Sequence, residues 1–450
     1  MWRRHGNLVG MQNVLPPIAD QALANLPISL AALGHAFVRS GYEISLVGGP
    51  VRDACLGIEP HDFDLTTSAR PEETERLLRQ WGDACWDVGR NFGTIAAKKG
   101  DVVVEVTTYR TEEYEIGSRK PAVAYGDNLE GDLTRRDFTV NAMELRLPDL
   151  ELVDPHNGLA DLQAGILRTP VSAEQSFDDD PLRMLRAARF ASQLGFDVDL
   201  EVMEAMEQMA QRLEIVSAER IRAELERLLL SPYPRRGLEL LVHTGICDIV
   251  LPEVSALQDT VDEHRRHKDV YEHTLTVLQQ AMDLETGPDG AVPGPDLRLR
   301  LAALMHDIGK PATRRFMPDG TVTFHAHDYV GARMTAKRMR ALHFDKQTIK
   351  DVSRLVELHL RFHGYADSPW SDSAVRRYVT DAGPLLARLG CLTRADVTTG
   401  NRRKAAMLSH AYDDLERRIE ALRQQEELAA IRPELDGQEI MTELGIKPGP

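Results

Sequence analysis

"LVGGPVRDACLGIEPHDFDL", residues 46–65, holds a double glycine, an Arg-Asp pair and two aspartates one residue apart. The glycines end a β-branched run, "YEISLV", so they stand where a strand turns. Along a strand, residues i and i+2 point to one side, so Asp62 and Asp64 present two carboxylates to one spot while Phe63 faces the core. Two hard oxygen ligands suit Mg²⁺, which keeps positions for water and substrate phosphates and so serves phosphoryl transfer. Gly48 and Gly49 let backbone N–H groups approach a triphosphate, and Arg52 adds positive charge. Singly these are weak signals, because a D-x-D is commonly two exposed acids and a Gly-Gly a turn. Their conjunction is hard to explain as packing. Glu105, in "VVVEVTTYR", sits on a neighbouring strand and either completes a two-metal cage or is an exposed strand acid.

Working outward, residues 42–110 alternate short β-branched runs with helical patterns such as "PEETERLLRQWG", which predicts a small α/β unit with a mixed sheet. "TEEYEIGSRKPAVAYGDNLEGDLT" (111–134) turns polar and reads as a long loop, and "VNAMELRL" returns as a strand. From Phe177 to about residue 255, apolar residues recur at helical spacing, with a Ser in "SAERIRAE" placed to cap its helix. "ETGPDGAVPGPD" (285–296) is a surface loop, and helices continue from about 297 to 430.

A chain of 450 residues exceeds one ordinary core and predicts several domains. With 42% apolar and 28% charged residues it has the composition of a soluble globular protein. No continuous apolar span and no leader-like start is evident, which predicts a cytoplasmic protein with no membrane partner. The four cysteines are far apart, so neither a disulfide framework nor a thiolate zinc site is expected. The net charge of −16 argues against indiscriminate nucleic-acid binding but allows a local basic groove. Arginines do cluster between 183 and 236, either in such a groove or on solvated helix faces.

The opening stretch resembles the first motif of the class II tRNA nucleotidyltransferase and poly(A) polymerase family, within the polymerase-β superfamily. "RRDFTVNAM" (135–143), "DPHNGLADL" (154–162), "DDPLRMLRAARFASQLGF" (179–196) and "SAERIRAELERLL" are similar to its later motifs, in order. The resemblance implies an α+β fold: a small mixed-sheet nucleotidyltransferase head, an all-α neck and body, and an all-α HD domain. The expected boundaries are an N-terminal extension at 1–27, the head at 28–168, the neck with nucleotide recognition at 169–256, the HD domain at 257–400 and a helical tail at 401–450. It implies template-independent addition of C, C and A from CTP and ATP to the 3′ end of tRNA, with Mg²⁺ held by Asp62 and Asp64.

Position by position, the resemblance points to Asp180 and Arg183 as base readers. A carboxylate accepts from an exocyclic amine while a guanidinium donates to ring acceptors, an edge that cytosine and adenine share and uracil and guanine do not. Asp180 and Arg183 are expected one turn apart on one helix, with Arg186 and Arg189 continuing the spacing and Arg136 and Asp137 flanking the nucleotide. The competing role for Asp180 is an N-cap before Pro181. Arg119 or Lys120, in the polar loop, are candidates for phosphates or the growing end. This chain has Asp179 where the family usually has Glu.

Downstream, "LMHDIGKPATR" (304–314) sets His306 beside Asp307, with His273 before and Asp396 after, resembling an HD-domain signature. Imidazoles suit a divalent transition metal more than Mg²⁺, and His325, His327 and His359 offer further ligands. A poly(A) polymerase of the same family, and a metal-dependent HD phosphohydrolase with a nucleotide-binding head, are the alternatives. The C-terminus lacks the strongly basic tail common in the former. A noncatalytic RNA-binding protein fits the acidic total poorly.

Overall fold

A computed structural model of the chain describes residues 15–89, 93–113, 122–125, 128–258, 260, 270–318, 321–362, 364–365, 368, 370–398 and 402–430. Its contacts divide it into two units, Met1–Val250 and Leu251–Pro450.

In the first unit, α1 (Pro17–Leu23) and α2 (Ile28–Arg39) lead into β1 (Ile44–Val47), α3 (Gly49–Cys55), β2 (Phe63–Thr67) and α4 (Pro71–Trp81). β3 (Ala84–Gly89), β4 (Thr94–Lys99) and β5 (Val102–Thr108) follow. Next come β6 (Arg110–Glu113), β7 (Ala122–Tyr125), α5 (Leu129–Thr134), β8 (Glu144–Arg146) and β9 (Glu151–Val153). Seven strands form one mixed sheet in the order β3-β4-β5-β2-β1-β8-β9. β1, "ISLV", is buried along its whole length because it has sheet neighbours on both sides, β2 and β8, both antiparallel to it. The apolar stripe of α4, with Leu77, Leu78 and Trp81 buried, packs on the sheet. Each such side chain contributes about 1.5–3 kcal/mol on burial.

The stretch expected to be one long loop is more ordered than its polarity suggests. Arg110–Glu113 pairs antiparallel with Ala122–Tyr125, and residues 129–134 form α5, capped by Asn128, whose side chain accepts from Gly131 N at 2.8 Å. A two-stranded ribbon needs no continuous apolar face when its backbone groups pair with each other, so hydropathy hides it. Arg119 and Lys120 lie outside the described residues.

After the sheet the unit is helical: α6 (Gly158–Ala164), α7 (Ala173–Asp179), α8 (Leu182–Leu194), α9 (Leu200–Met209), α10 (Ala218–Leu229), α11 (Pro234–His243) and α12 (Ile246–Val250). α8 packs against both α10 and α11, and Ser217 caps α10 as its position implied, accepting from Arg220 N at 3.4 Å.

The second unit comprises α13 (Pro252–Ser255), α14 (Val270–Asp283), α15 (Leu297–Met305), α16 (Lys310–Thr313), α17 (His327–Ala341) and α18 (Lys346–Leu358). Helices over Asp372–Ala382, Leu386–Ala395 and Arg402–Ala430 complete it. α15 is its central helix, with every residue from Leu299 to Met305 buried. Among the described residues no single helix is long and apolar enough to cross a membrane.

Candidate functional site

β1 ends at Val47, and Gly48 turns the chain with φ +77°, a left-handed value that suits glycine. A Cβ at Gly48 would stand 3.1 Å from Arg136 Nη1, so the turn and this guanidinium are in close approach. The buried Nε of Arg136 has no hydrogen-bond partner, and its Nη2 lies 3.4 Å from Asp132. Asp132 is fully buried and also binds Arg135 at 2.6 Å.

The pairing of Leu46 with Leu65 sets the start of β2 beside this turn, and Asp64 pairs in parallel register with Glu105 on β5. Asp62, Asp64 and Glu105 are exposed while Phe63 is buried, so the alternation expected of "HDFDL" holds. Desolvation by the surrounding wall raises the Asp64 carboxyl above the usual range; Arg136 opposes this and the charge of Asp62 adds to it. The three acids share a face but are not drawn to within 4.8 Å of one another. Hard carboxylate oxygens beside an orphaned guanidinium N–H fit a divalent cation carrying phosphates.

Beneath the turn lies a polar network on α8. Arg52 is held by Asp53 and by Asn141 Oδ1 at 2.8 Å. Asn141 donates to Asp137 at 3.0 Å, and Asp137 accepts from Arg186 Nε at 2.8 Å. Burial works to raise the Asp137 carboxyl, but Arg186, Asn141 and the Phe138 N–H outweigh it and hold the group below its ordinary value. Arg189 pairs with buried Glu224 at 2.6 Å, and its guanidinium lies 3.8 Å from the centre of the Phe190 ring, which Arg52 and Arg186 also approach.

Asp180 is not on the helix with Arg183. It is the extended residue that ends α7, and α8 begins at Leu182, because Pro181 removes an N–H and starts the new helix. Asp180 Oδ1 accepts from Leu182 N at 3.1 Å, so the capping role is present, while Oδ2 pairs with Arg220 at 2.7 Å. Arg183 is buried and donates to Ser176 Oγ at 2.9 Å and to the Arg135 carbonyl. Asp132, Asn141, Phe190, Arg220 and Glu224 had not been singled out. Asn141 and Glu224 stand inside motifs already recognised, but a pattern does not reveal which polar residue braces which.

In the second unit a compact cluster forms. His306 closes α15, Asp307 follows in the turn, His327 opens α17 and His359 closes α18. Two triads share Asp307: His273, His306 and Asp307, and Asp307, His327 and His359, each with ligand atoms within 4.8 Å. Asp307 Oδ2 faces His273 and His306 at 3.4 and 3.2 Å, and Oδ1 faces His327 Nε2 at 3.3 Å. Asp396 Oδ1 lies 3.0 Å from His273 Nε2. The Nδ1 atoms of His306, His327 and His359 each meet a carbonyl three residues earlier at 2.6–2.9 Å, which turns Nε2 toward the cluster. The buried Nε2 atoms of His327 and His359 make no hydrogen bond of full geometry to the protein, although His327 Nε2 faces Asp307. Such a donor set fits divalent transition metals. His325 is exposed and outside both triads. Gly309 permits the packing, since a Cβ there would come within 2.2 Å of the His327 carbonyl.

Three family models match the chain: the Poly A polymerase head domain over residues 44–168, the Probable RNA and SrmB-binding site of polymerase A over 195–257, and the HD domain over 270–401. The A-adding tRNA nucleotidyltransferase of Deinococcus radiodurans is 34% identical over 414 residues, 90% of this chain and 88% of that protein. The CCA-adding enzyme of Streptococcus pneumoniae is 41% identical over 224 residues, and the match spans 50% of this chain and 55% of that enzyme. Among solved structures, the Bacillus stearothermophilus CCA-adding enzyme in complex with CTP is similar with TM-score 0.60 and 25% identity, over 97% of this chain and 90% of that one. The Thermotoga maritima CCA-adding enzyme complexed with tRNA shares the fold, with TM-score 0.63 and 17% identity over 96% and 90% of the two chains.

Proposed function

Because the chain belongs to the tRNA nucleotidyltransferase family built on the poly(A) polymerase head, we propose that it adds C, C and A from CTP and ATP to tRNA 3′ ends. The observation that carries this is the pair Asp62 and Asp64 at the edge of a glycine turn covered by Arg136. Asp62 and Asp64, with Glu105 beside them, hold Mg²⁺, which when bound offsets the charge of the triphosphate. Gly48 and Gly49 present backbone N–H groups to the phosphates, Arg136 supplies fixed positive charge, and Arg52, paired with Asp53 and Asn141, braces the turn. The RNA 3′-hydroxyl gives up its proton to solvent as its oxygen bonds to the α-phosphorus, the bond to the bridging oxygen breaks, and pyrophosphate leaves with that oxygen.

Selection of C and A falls to Asp180 and Arg183. Asp180 reads a base edge after parting from Arg220, a half-exposed pair whose loss costs only about 0–1 kcal/mol. Arg186, Arg189 and Asp137 hold α8 and the "RRDF" segment in register beneath the nucleotide. The reaction and its substrates belong to the cytoplasm.

Incubation with tRNA transcripts ending before the CCA, Mg²⁺ and each nucleotide alone or paired tests this. Addition that stops at C-C-A is expected. A single A added only to transcripts already ending in C-C assigns the chain to A-addition, the activity for which its Deinococcus radiodurans relative is named. An open-ended A ladder on any RNA makes it a poly(A) polymerase.

The two triads sharing Asp307 favour a second reading, metal-dependent phosphohydrolysis in the HD domain. His273, His306, Asp307 and Asp396, with His327 and His359, hold the ion or ions there. Release of phosphate from 3′-phosphorylated RNA with Mn²⁺, Ni²⁺ or Zn²⁺, abolished in Asp307→Asn, tests it.

A further inference from the structure

One row of residues crosses the head sheet from its acids to its edge. Asp64 on β2 pairs with Glu105 on β5, Glu105 with Ala96 on β4, and Ala96 with Trp86 on β3, the edge strand. Cross-strand partners point to one side of a sheet, so Trp86 stands on the face that bears the two acids. The register between β3 and β4 is regular from Ala84 to Asp87 and shifts only beyond it. At roughly 4.8 Å per strand, the row places Trp86 about 10 Å from Glu105 and about 14 Å from Asp64.

Tryptophan is highly buried on average, yet Trp86 is 41% exposed here. The neighbouring row on the same face sets Lys98 on β4 opposite Val103 on β5, and both are exposed. Ala96, between Trp86 and Glu105, is fully buried and small, so no bulky side chain separates the ring from the acids. An exposed indole with an ammonium in the next row is the combination by which proteins hold single-stranded nucleic acid, the ring taking a base and the cation a phosphate.

Strand order decides which part of the substrates reaches Trp86. The glycine turn that receives the triphosphate follows β1, on one side of the acids, while β4 and β3 extend from the other. In-line displacement brings the attacking oxygen from the side opposite the leaving pyrophosphate. The RNA 3′ end therefore enters over β3 and β4. Stacked bases rise about 3.4 Å each, so a strand whose last oxygen is at the acids passes Trp86 within its final few nucleotides. We propose that Trp86, with Lys98 beside it, is a stacking platform for the bases just upstream of the 3′ terminus, holding that terminus in line with the α-phosphorus. The platform rests on the reading of the chain as an enzyme that extends RNA.

The test uses the full chain carrying Trp86→Ala or Trp86→Phe and a tRNA transcript ending before the CCA, with initial rates and intrinsic tryptophan fluorescence as readouts. Trp86→Ala should raise KM for the transcript about fivefold or more, the lower end of what stacking one base on an aromatic ring contributes, while KM for CTP is kept. Trp86→Phe should retain most of the RNA affinity, because a phenyl ring still stacks. It should also lose part of the fluorescence quenching that the transcript causes in the parent, which a merely structural role would not predict. An unchanged KM for the transcript in Trp86→Ala, or unchanged quenching in Trp86→Phe, overturns the proposal, as either would if the edge of β3 instead paired with a strand of a partner protein. Should Trp86→Ala melt early, the quenching in Trp86→Phe decides alone. A chain that binds RNA against Trp86 yet adds no nucleotide removes the catalytic reading and leaves the platform standing. A chain that extends RNA equally well with and without the indole removes the platform alone.

Discussion

The head and the HD domain each gather acidic or imidazole groups suited to divalent ions, but they do so in opposite ways. Asp62, Asp64 and Glu105 are exposed and do not form a group whose ligand atoms all lie within 4.8 Å of one another. His306, Asp307 and His359 are almost wholly buried and already within ligand distance of their neighbours. Like charges on an open face repel when nothing lies between them, whereas a buried carboxylate survives only if cations or donors surround it. Asp307 shows the second condition: burial pushes its carboxyl up, yet His306 and Lys310 hold it well below the usual range. The acids of the head thus stand open to solvent, whereas the HD cluster is part of the folded core.

That contrast predicts opposite mutational signatures. Asp62→Ala should lower CTP and ATP addition by about a thousandfold or more, since ion-assisted charge stabilisation is worth several kcal/mol, while the melting temperature stays unchanged. His306→Ala should do the reverse. Removing a buried imidazole takes one of several partners from Asp307 and Asp396 and leaves a gap in the core, costing about 1–3 kcal/mol of stability in denaturant titrations, while addition at permissive temperature persists. An Asp62→Ala chain that melts early, or a His306→Ala chain that is as stable as the parent, would break the distinction.

Much of this difference was legible in the sequence, though unevenly. The D-x-D after a double glycine announces its geometry because a strand's period of two fixes which side each aspartate faces, and the structure keeps Phe63 inward. The histidines of the HD cluster come from positions 273 to 359, and only tertiary packing separates His327 and His359, which join, from His325, which does not. Asp180 was misplaced for a local reason: a 3.6-residue spacing assumes one continuous helix, and Pro181 divides it. The β6–β7 ribbon escaped because its ordering lies in backbone pairing and not in an apolar pattern.

Glu144 sharpens the comparison from inside the head. It lies on β8, fully buried, with one oxygen bonded to Ser45 Oγ at 3.1 Å and the other without a partner. Burial dominates here, and the carboxyl is pushed up to about 8. The folded state therefore keeps its proton where the unfolded chain has lost it. This stabilising proton linkage is complete below the ordinary Glu value of 4.5 and is lost as pH rises through about 8. Stability should fall across that window with a slope of at most about 1.4 kcal/mol per pH unit. Glu144→Gln should flatten it, as read from urea midpoints at several pH values. A slope that survives the substitution would mean that Glu144 is charged like Asp307, and burial would no longer separate the two carboxylates.

The finest discrimination belongs to a half-exposed residue of the neck. If Asp180 reads a base edge, Asp180→Ala should reduce the preference for CTP and ATP over UTP and GTP by about 1–3 kcal/mol, roughly 5- to 150-fold in kcat/KM ratios. Total activity falls less, because Asp62 and Asp64 are untouched. Arg220→Ala is the informative partner. It removes the half-exposed ion pair that occupies Asp180 Oδ2 while leaving the bond from Leu182 N to Oδ1. Freed from that competitor, Asp180 should keep its discrimination, and KM for CTP should change by about threefold or less, since an exposed pair is worth about 0–1 kcal/mol. If Arg220→Ala instead erases discrimination as fully as Asp180→Ala, the carboxylate is working as an anchor for α10 and not as a reader. The accessible acids of the first unit would then divide into those of the head that meet substrate and one of the neck that merely holds a helix.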